Sequence, residues 1–418
     1  MKKILTILSF CFLSTGVFAQ CTASDSTIMG ANYANDVFYS FKNGVVKTES
    51  NSNWHLAISV QRSQFPNNPA TGVGIRVNSV KGCNLVKLNG ANAANWRAID
   101  TTGFRSLPNR LDSMKTWDMT AFTKEYNPAT APFNFIWGNY NMTSKNVDGS
   151  AVFLLYNSTA NWYKKVFVKQ LAYDTLWNII ISNVDNSDSV NLMVNKNTYK
   201  NRLFVYYDVV NKQLNDREPA ITAWDAVWTR YTEVVTQNNQ TMAYPLTGIL
   251  LNKGVTVAKS VGPKCNQTWL SKNTVPFSAV TNTIGYDWKY SNMGPFAIVD
   301  TFVYFVKTRD TSYYKLSFNR FVGASAGKTV FSLKNESLSN KTIKSNAGIT
   351  LYPNPAADVV TIRTEATVLN VKIMTATGSE VELPVNNNSV QTSGLSSGLY
   401  LLTITTDKGT ETIKLIKE

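Results

Sequence analysis

The stretch WDAVWTRYTE, Trp224–Glu233, reads as an alternating strand, and its counterpart elsewhere in the chain decides the architecture. It follows VYYDVVNK, Val205–Lys212, a strand that runs into an Asn-containing turn. The same succession stands earlier. VFYSFKNG, Val37–Gly44, leads through a polar stretch into WHLAISVQR, Trp54–Arg62. From Val to Trp the spacing is 17 residues in the early copy and 19 in the later one. A second element also recurs. VFLLYNSTANWYKKVFV from Val152 and VYFVKTRDTSYYKLSFN from Val303 align without a gap at an offset of 151, both as aromatic-rich hairpins. Internal repetition on this scale predicts two homologous units, 28–198 and 199–338. Few segments show helical periodicity, so the expected fold class is all-β.

The repeat bears on the Asp that follows Trp224. A recurring Trp on a strand is a core anchor, because its side chain buries a large area. The next residue points to the other face. It is Asp225 in one copy and His55 in the other, which favours a structural hydrogen-bonding role over a shared catalytic acid.

Composition agrees with an exported β-protein. Only 16% of residues are charged, while Asn, Thr, Ser and aromatics abound. The net charge of +14 is scattered, with no run of five basic residues and no nucleic-acid-binding motif. Residues 1–19 have the basic start, apolar run and small-residue end of a signal peptide, which predicts cleavage between Ala19 and Gln20. The apolar run is too short to span a membrane, and no other segment approaches the length required. Beyond the signal peptide, Cys21, Cys83 and Cys265 remain. An oxidising compartment permits one disulfide and leaves one thiol over. Three pairings are open, and Cys83 with Cys265 would tie the two units together.

The C-terminal residues 348–418 form short strands broken by Gly, Asn and Ser-Gly turns, as in an immunoglobulin-like β-sandwich. The YPNPA start (Tyr352–Ala356), the turn at Ala376–Gly378, the LSSGLY step (Leu395–Tyr400) and the KLIKE tail resemble a type IX secretion C-terminal sorting domain. That resemblance implies passage through the periplasm, contact with the type IX machinery, and a product secreted or held at the outer cell surface.

The repeat motifs carry a second resemblance. A strand, turn and loop followed by Trp-Asp and an Arg-Tyr strand, with the later VYFVKTRDTSYYKLSF hairpin, is similar to HmuY-type haem-binding proteins. The resemblance implies two tandem HmuY-like β units and haem gripped between loop fingers by His or Met. His55 is the only histidine, so a bis-His site within one chain is excluded. Met242 and Met293 fall where the resemblance would place ligands and are the candidate axial pair; no other metal site is expected.

Three functions follow as expectations. The first is a non-enzymatic surface or secreted protein that binds haem or another flat apolar ligand. The second is a structural or adhesive protein, with surface glycan as a partner. The third is a carbohydrate-active enzyme using the Trp-adjacent carboxylates Asp118, Asp225 and Asp287. Gly323–Gly327 matches G-x-S-x-G, but no His follows Ser325, so a glycine-rich connection between strands is expected there.

Overall fold

The computed structural model describes residues 24–64, 67–237, 239–264, 275–291, 294–336, 348–375, 379–381, 383, 385–386 and 388–418. Within them the chain is all-β, and no helix is long and apolar enough to cross a membrane. It divides into a body, residues 1–337, and a C-terminal unit, residues 338–418.

The described strands of the body fall into two runs of eleven. The first is β1 (Ser24–Ile28), β2 (Asn35–Ser40), β3 (Gly44–Ser50), β4 (Leu56–Ser59), β5 (Ile75–Val77), β6 (Asn84–Lys87), β7 (Gly138–Asn141), β8 (Asn146–Gly149), β9 (Val152–Asn157), β10 (Trp162–Ala172) and β11 (Leu176–Asn183). The second is β12 (Val190–Asn195), β13 (Phe204–Asp208), β14 (Gln213–Asn215), β15 (Ala226–Gln237), β16 (Gln240–Leu251), β17 (Thr256–Val261), β18 (Lys289–Tyr290), β19 (Ala297–Ile298), β20 (Phe302–Lys307), β21 (Tyr313–Phe321) and β22 (Lys328–Asn335).

The two copies exchange strands. The hairpin β2–β3 of the first copy completes a sheet in the order β16-β15-β2-β3, and β13–β14 of the second completes β14-β13-β4-β5. The exchange keeps one register. Tyr39 faces Ala226 and Phe38 faces Val227, while Tyr207 faces Leu56 and Tyr206 faces Ala57. The outer strands follow suit, β1 pairing with β22 and β12 with β11.

The boundary expected between residues 198 and 199 is therefore crossed by the ladders themselves. Units 28–198 and 199–338 do not close independently. One half of the body is β4–β14, continuous in sequence. The other is β1–β3 with β15–β22, and the first half is inserted between its strands. Strand ladders join residues far apart in the chain where their apolar faces match, and here the two copies present matching faces to each other's hairpins.

Four sheets stack as layers. The sheet β1-β22-β21-β20-β17 packs on β16-β15-β2-β3 through Tyr39, Trp228, Tyr304 and Phe331. The second sheet meets β14-β13-β4-β5 through Phe38, Tyr206, Trp224 and Val227. The third packs on the large sheet of β6–β12 through Leu56, Val205, Phe153 and Trp177. Trp137, Trp177, Trp224, Trp228 and Trp288 are all fully buried. Each such ring removes roughly 150–250 Å² from water, an upper bound of about 4–6 kcal/mol at ~25 cal/mol per Å².

The gapless hairpin alignment needs one correction. In the first strand the offset of 151 holds, with Phe153 and Tyr304 both in cores. In the second strand Phe153 pairs with Val166, and Tyr304 pairs with Leu316, an offset of 150. The turn is one residue shorter in the second copy, and a one-residue shift moves every side chain to the other face.

The C-terminal unit is a β-sandwich. Its sheets are β23 (Thr350–Tyr352), β24 (Val359–Arg363), β28 (Ser389–Gln391), β27 (Val385–Asn386) and β26 (Glu380–Val381), β25 (Val368–Thr375), β29 (Gly398–Thr406), β30 (Gly409–Lys417), each in that spatial order. Val360, Ile362, Ile373, Leu402, Ile404 and Leu415 form the core.

Candidate binding groove

An apolar depression on the continuous half lies where β8 meets β10. Leu171 and Val147 face each other across that pair and form the wall. Phe133 and Phe135 come from the loop before β7, Tyr140 from β7 and Met142 from the β7–β8 turn; Tyr173 stands at the β10–β11 turn. The cavity is about 460 Å³. Phe133 and Tyr140 stack at 5.8 Å, and Tyr126 supports Phe135 at 5.2 Å.

The Tyr173–Asp174 turn is strained and locked. Both residues have φ of 49°, as in a primed hairpin turn, a conformation that usually takes Asn-Gly. A non-glycine residue there costs about 1–2 kcal/mol, so the surroundings must hold it. Asp174 accepts from Lys196 Nζ at 2.5 Å and from the Ser63 N–H at 2.7 Å. Lys196, fully buried, also donates to the Gly72 carbonyl at 2.7 Å and the Gln61 carbonyl at 3.0 Å. Burial pulls its ammonium down to about 8, against the opposing pull of Asp174. The Arg62 guanidinium donates to the Asp174 carbonyl at 2.6 Å and to Thr175 Oγ1 at 2.9 Å. This network displays the Tyr173 ring, 68% exposed, at the groove edge.

The repeat supplies an internal comparison. Trp137 and Trp288 occupy equivalent places, their carbonyls accepting from Ser150 and Val299. Counting from the pairs Gly138–Gly149 and Lys289–Ile298, Val147 stands where the other copy has Phe296. Counting from the bulges at Val168/Gln170 and Phe318/Arg320, Leu171 stands where the other copy has Phe321. Phe296 and Phe321 meet edge to face at 5.0 Å. Where one half has two phenylalanines in contact, the other has Val147 and Leu171, both buried in the groove wall.

The expected site residues are placed elsewhere. Met242 lies on β16 opposite Val235, 42% exposed, and is not part of the groove wall. Met293 lies outside the described residues, as do Ala19, Gln20, Cys265 and the Ala376–Gly378 turn. Cys83 is a buried free thiol pushed up to about 12 by burial. His55 is 2% exposed; burial, with a smaller effect from Lys81, lowers it to about 4 and keeps it neutral. Among the Trp-adjacent carboxylates, Asp118 accepts from Lys253 at 2.6 Å, Asp225 from the Phe41 N–H at 2.9 Å and Asp287 from Lys259 at 2.6 Å. Gly323–Gly327 is a turn joining β21 to β22. Val147, Leu171 and Tyr173 escape a reading by motif. The gapless offset of 151 would set Val147 against Ile298 and Leu171 against Val322 and so hide the two phenylalanines.

Residues 350–418 match the family described as "Secretion system C-terminal sorting domain". No curated protein and no solved structure matches the chain. An all-β body carrying such a domain is an export cargo. The chain is a secreted protein routed by the type IX system to the cell surface or exterior.

Proposed function

We propose that the secreted body is a non-enzymatic binding protein that holds a flat apolar ligand in the groove of its continuous half. The contrast between Val147–Leu171 and Phe296–Phe321 carries this reading. The same fold places two phenylalanines in contact at this position in one copy and the smaller Val147 and Leu171 in the other. Buried apolar wall favours burial of apolar ligand surface at about 25 cal/mol per Å², and the locked turn fixes the backbone at Tyr173 before binding. Haem is the first ligand to try, given the HmuY-like repeat motifs, with Met142 in place of Met242 as the sulfur at the groove.

The test is a haem titration of the secreted protein beside the double variant Val147→Phe/Leu171→Phe. The second copy already accommodates both phenylalanines, so the variant is expected to fold. Saturable binding with a shifted Soret band, lost in the double variant, supports the reading; the band should change shape in Met142→Ala. Equal binding by the wild type and the double variant would move the ligand elsewhere. If haem does not bind at all but exposed aromatics bind glycans on an array, the adhesive reading takes over.

A further inference from the structure

We infer that the ligand of this groove carries an anionic group beside its apolar body; this rests on the groove being a binding site. The argument is electrostatic. Two charged side chains line the groove, Lys145 and Asp174. Asp174 is committed, accepting from the buried Lys196 at 2.5 Å and from the Ser63 backbone. Arg62 stands behind the same turn and spends its donors on carbonyls, Thr175 and Asn197, with no carboxylate among its partners in the described residues. Asp174 is thus held between Lys196 and the Arg62 guanidinium, which leaves Lys145 as the other charged side chain lining the groove.

Lys145 is the one able to reach a ligand. It is exposed, lies in the β7–β8 turn at φ 59°, and its ammonium has no ion-pair partner among the described residues. The neighbouring Asp148 follows Val147 on β8 and so points to the other face, where Gln170 holds it at 2.8 Å. An acid or sulfonate at the groove mouth would meet Lys145 while its rings lie on Val147, Leu171 and Tyr140. A neutral apolar molecule would make the apolar contacts but not the charge contact with Lys145.

The experiment uses two fluorescent probes with nearly the same rings, anionic 8-anilinonaphthalene-1-sulfonate and neutral N-phenyl-1-naphthylamine. Both are titrated into the secreted protein, with Val147→Phe/Leu171→Phe as the background for binding elsewhere. The anionic probe should bind roughly two- to fivefold tighter, the range of a partly exposed charge pair. Lys145→Gln should remove that advantage and leave the neutral probe unchanged, and added salt should shrink it in the wild type. Equal affinity for both probes, or an equal loss of both in Lys145→Gln, overturns the inference while leaving the groove intact. If neither probe binds above the double-variant background, the groove reading itself falls.

Discussion

His55 and Asp225 hold the same place in the two copies and do the same work across the exchange. The Val209 N–H donates to His55 Nδ1 at 3.2 Å, and the Phe41 N–H donates to Asp225 Oδ2 at 2.9 Å. Their own N–H groups donate to the carbonyls of Tyr207 and Tyr39 at 2.9 and 2.7 Å. The preceding tryptophans match as well, Trp54 on Tyr206 and Trp224 on Phe38, each edge to face at 5.1 Å. The residue after the Trp is thus a clasp that ties one copy's strand to the other's hairpin.

Removing the clasp should cost stability. Asp225→Ala leaves the buried Phe41 N–H without an acceptor, for an expected loss of about 1–3 kcal/mol. Asp225→His should lose less, since an imidazole serves at the equivalent position. Urea unfolding of both variants measures the order, and an alanine variant as stable as the histidine one would refute the clasp.

His55 makes the body sensitive to acid. Its folded value, about 4, lies below the ordinary histidine value. The unfolded chain then binds the extra proton first, so stability is full above about pH 6.5 and falls as pH drops toward 4, by at most about 3 kcal/mol. Glu218 runs the other way. Burial raises it to about 7, so its contribution is full at low pH and is lost as pH rises through 7. Melting curves of the wild type and His55→Asn between pH 7 and 4.5 isolate the histidine. The gap between the two should change with pH, and a constant gap would exclude its titration.

Arg217 should be a sensitive charge in the body. It is 3% exposed and donates to Asp36 at 2.7 Å and to the Ser50 carbonyl at 2.7 Å, joining the β14–β15 connection to β2 and β3. Arg217→Met leaves the buried Asp36 without its ion-pair partner and, among the described residues, with only the Thr229 hydroxyl, at 2.6 Å, donating to it, with an expected loss of about 3–5 kcal/mol. Adding Asp36→Leu should recover part of that loss in a double-mutant cycle. A double variant worse than the single one would mean the pair is held chiefly by its other hydrogen bonds.

Truncation separates routing from folding. A chain ending at Glu336 lacks the sorting domain and should accumulate in the periplasm, with the body's circular dichroism unchanged. Protease added to intact cells would read this directly, and surface exposure of the truncated chain would show a second export route.

Much of this was legible in the residues. The sorting domain reads from YPNPA, LSSGLY and KLIKE because short turns and alternating strands are local signals. The repeat reads from two Val-to-Trp segments of similar spacing, and the contrast of His55 with Asp225 already implied a structural role. What local pattern cannot carry is the choice of partner. Both β4 and β15 alternate in a way that could accept the β2–β3 hairpin, so local pattern does not choose between them. Only packing of the whole body sends Tyr39 to Ala226 and Tyr207 to Leu56. The groove depends on the same level of organisation, because a turn shortened by one residue sets which side chains face inward. Val147 and Leu171 are ordinary β-strand residues in sequence; the tertiary structure places them where their small volume, beside two phenylalanines in the other copy, leaves room for a ligand.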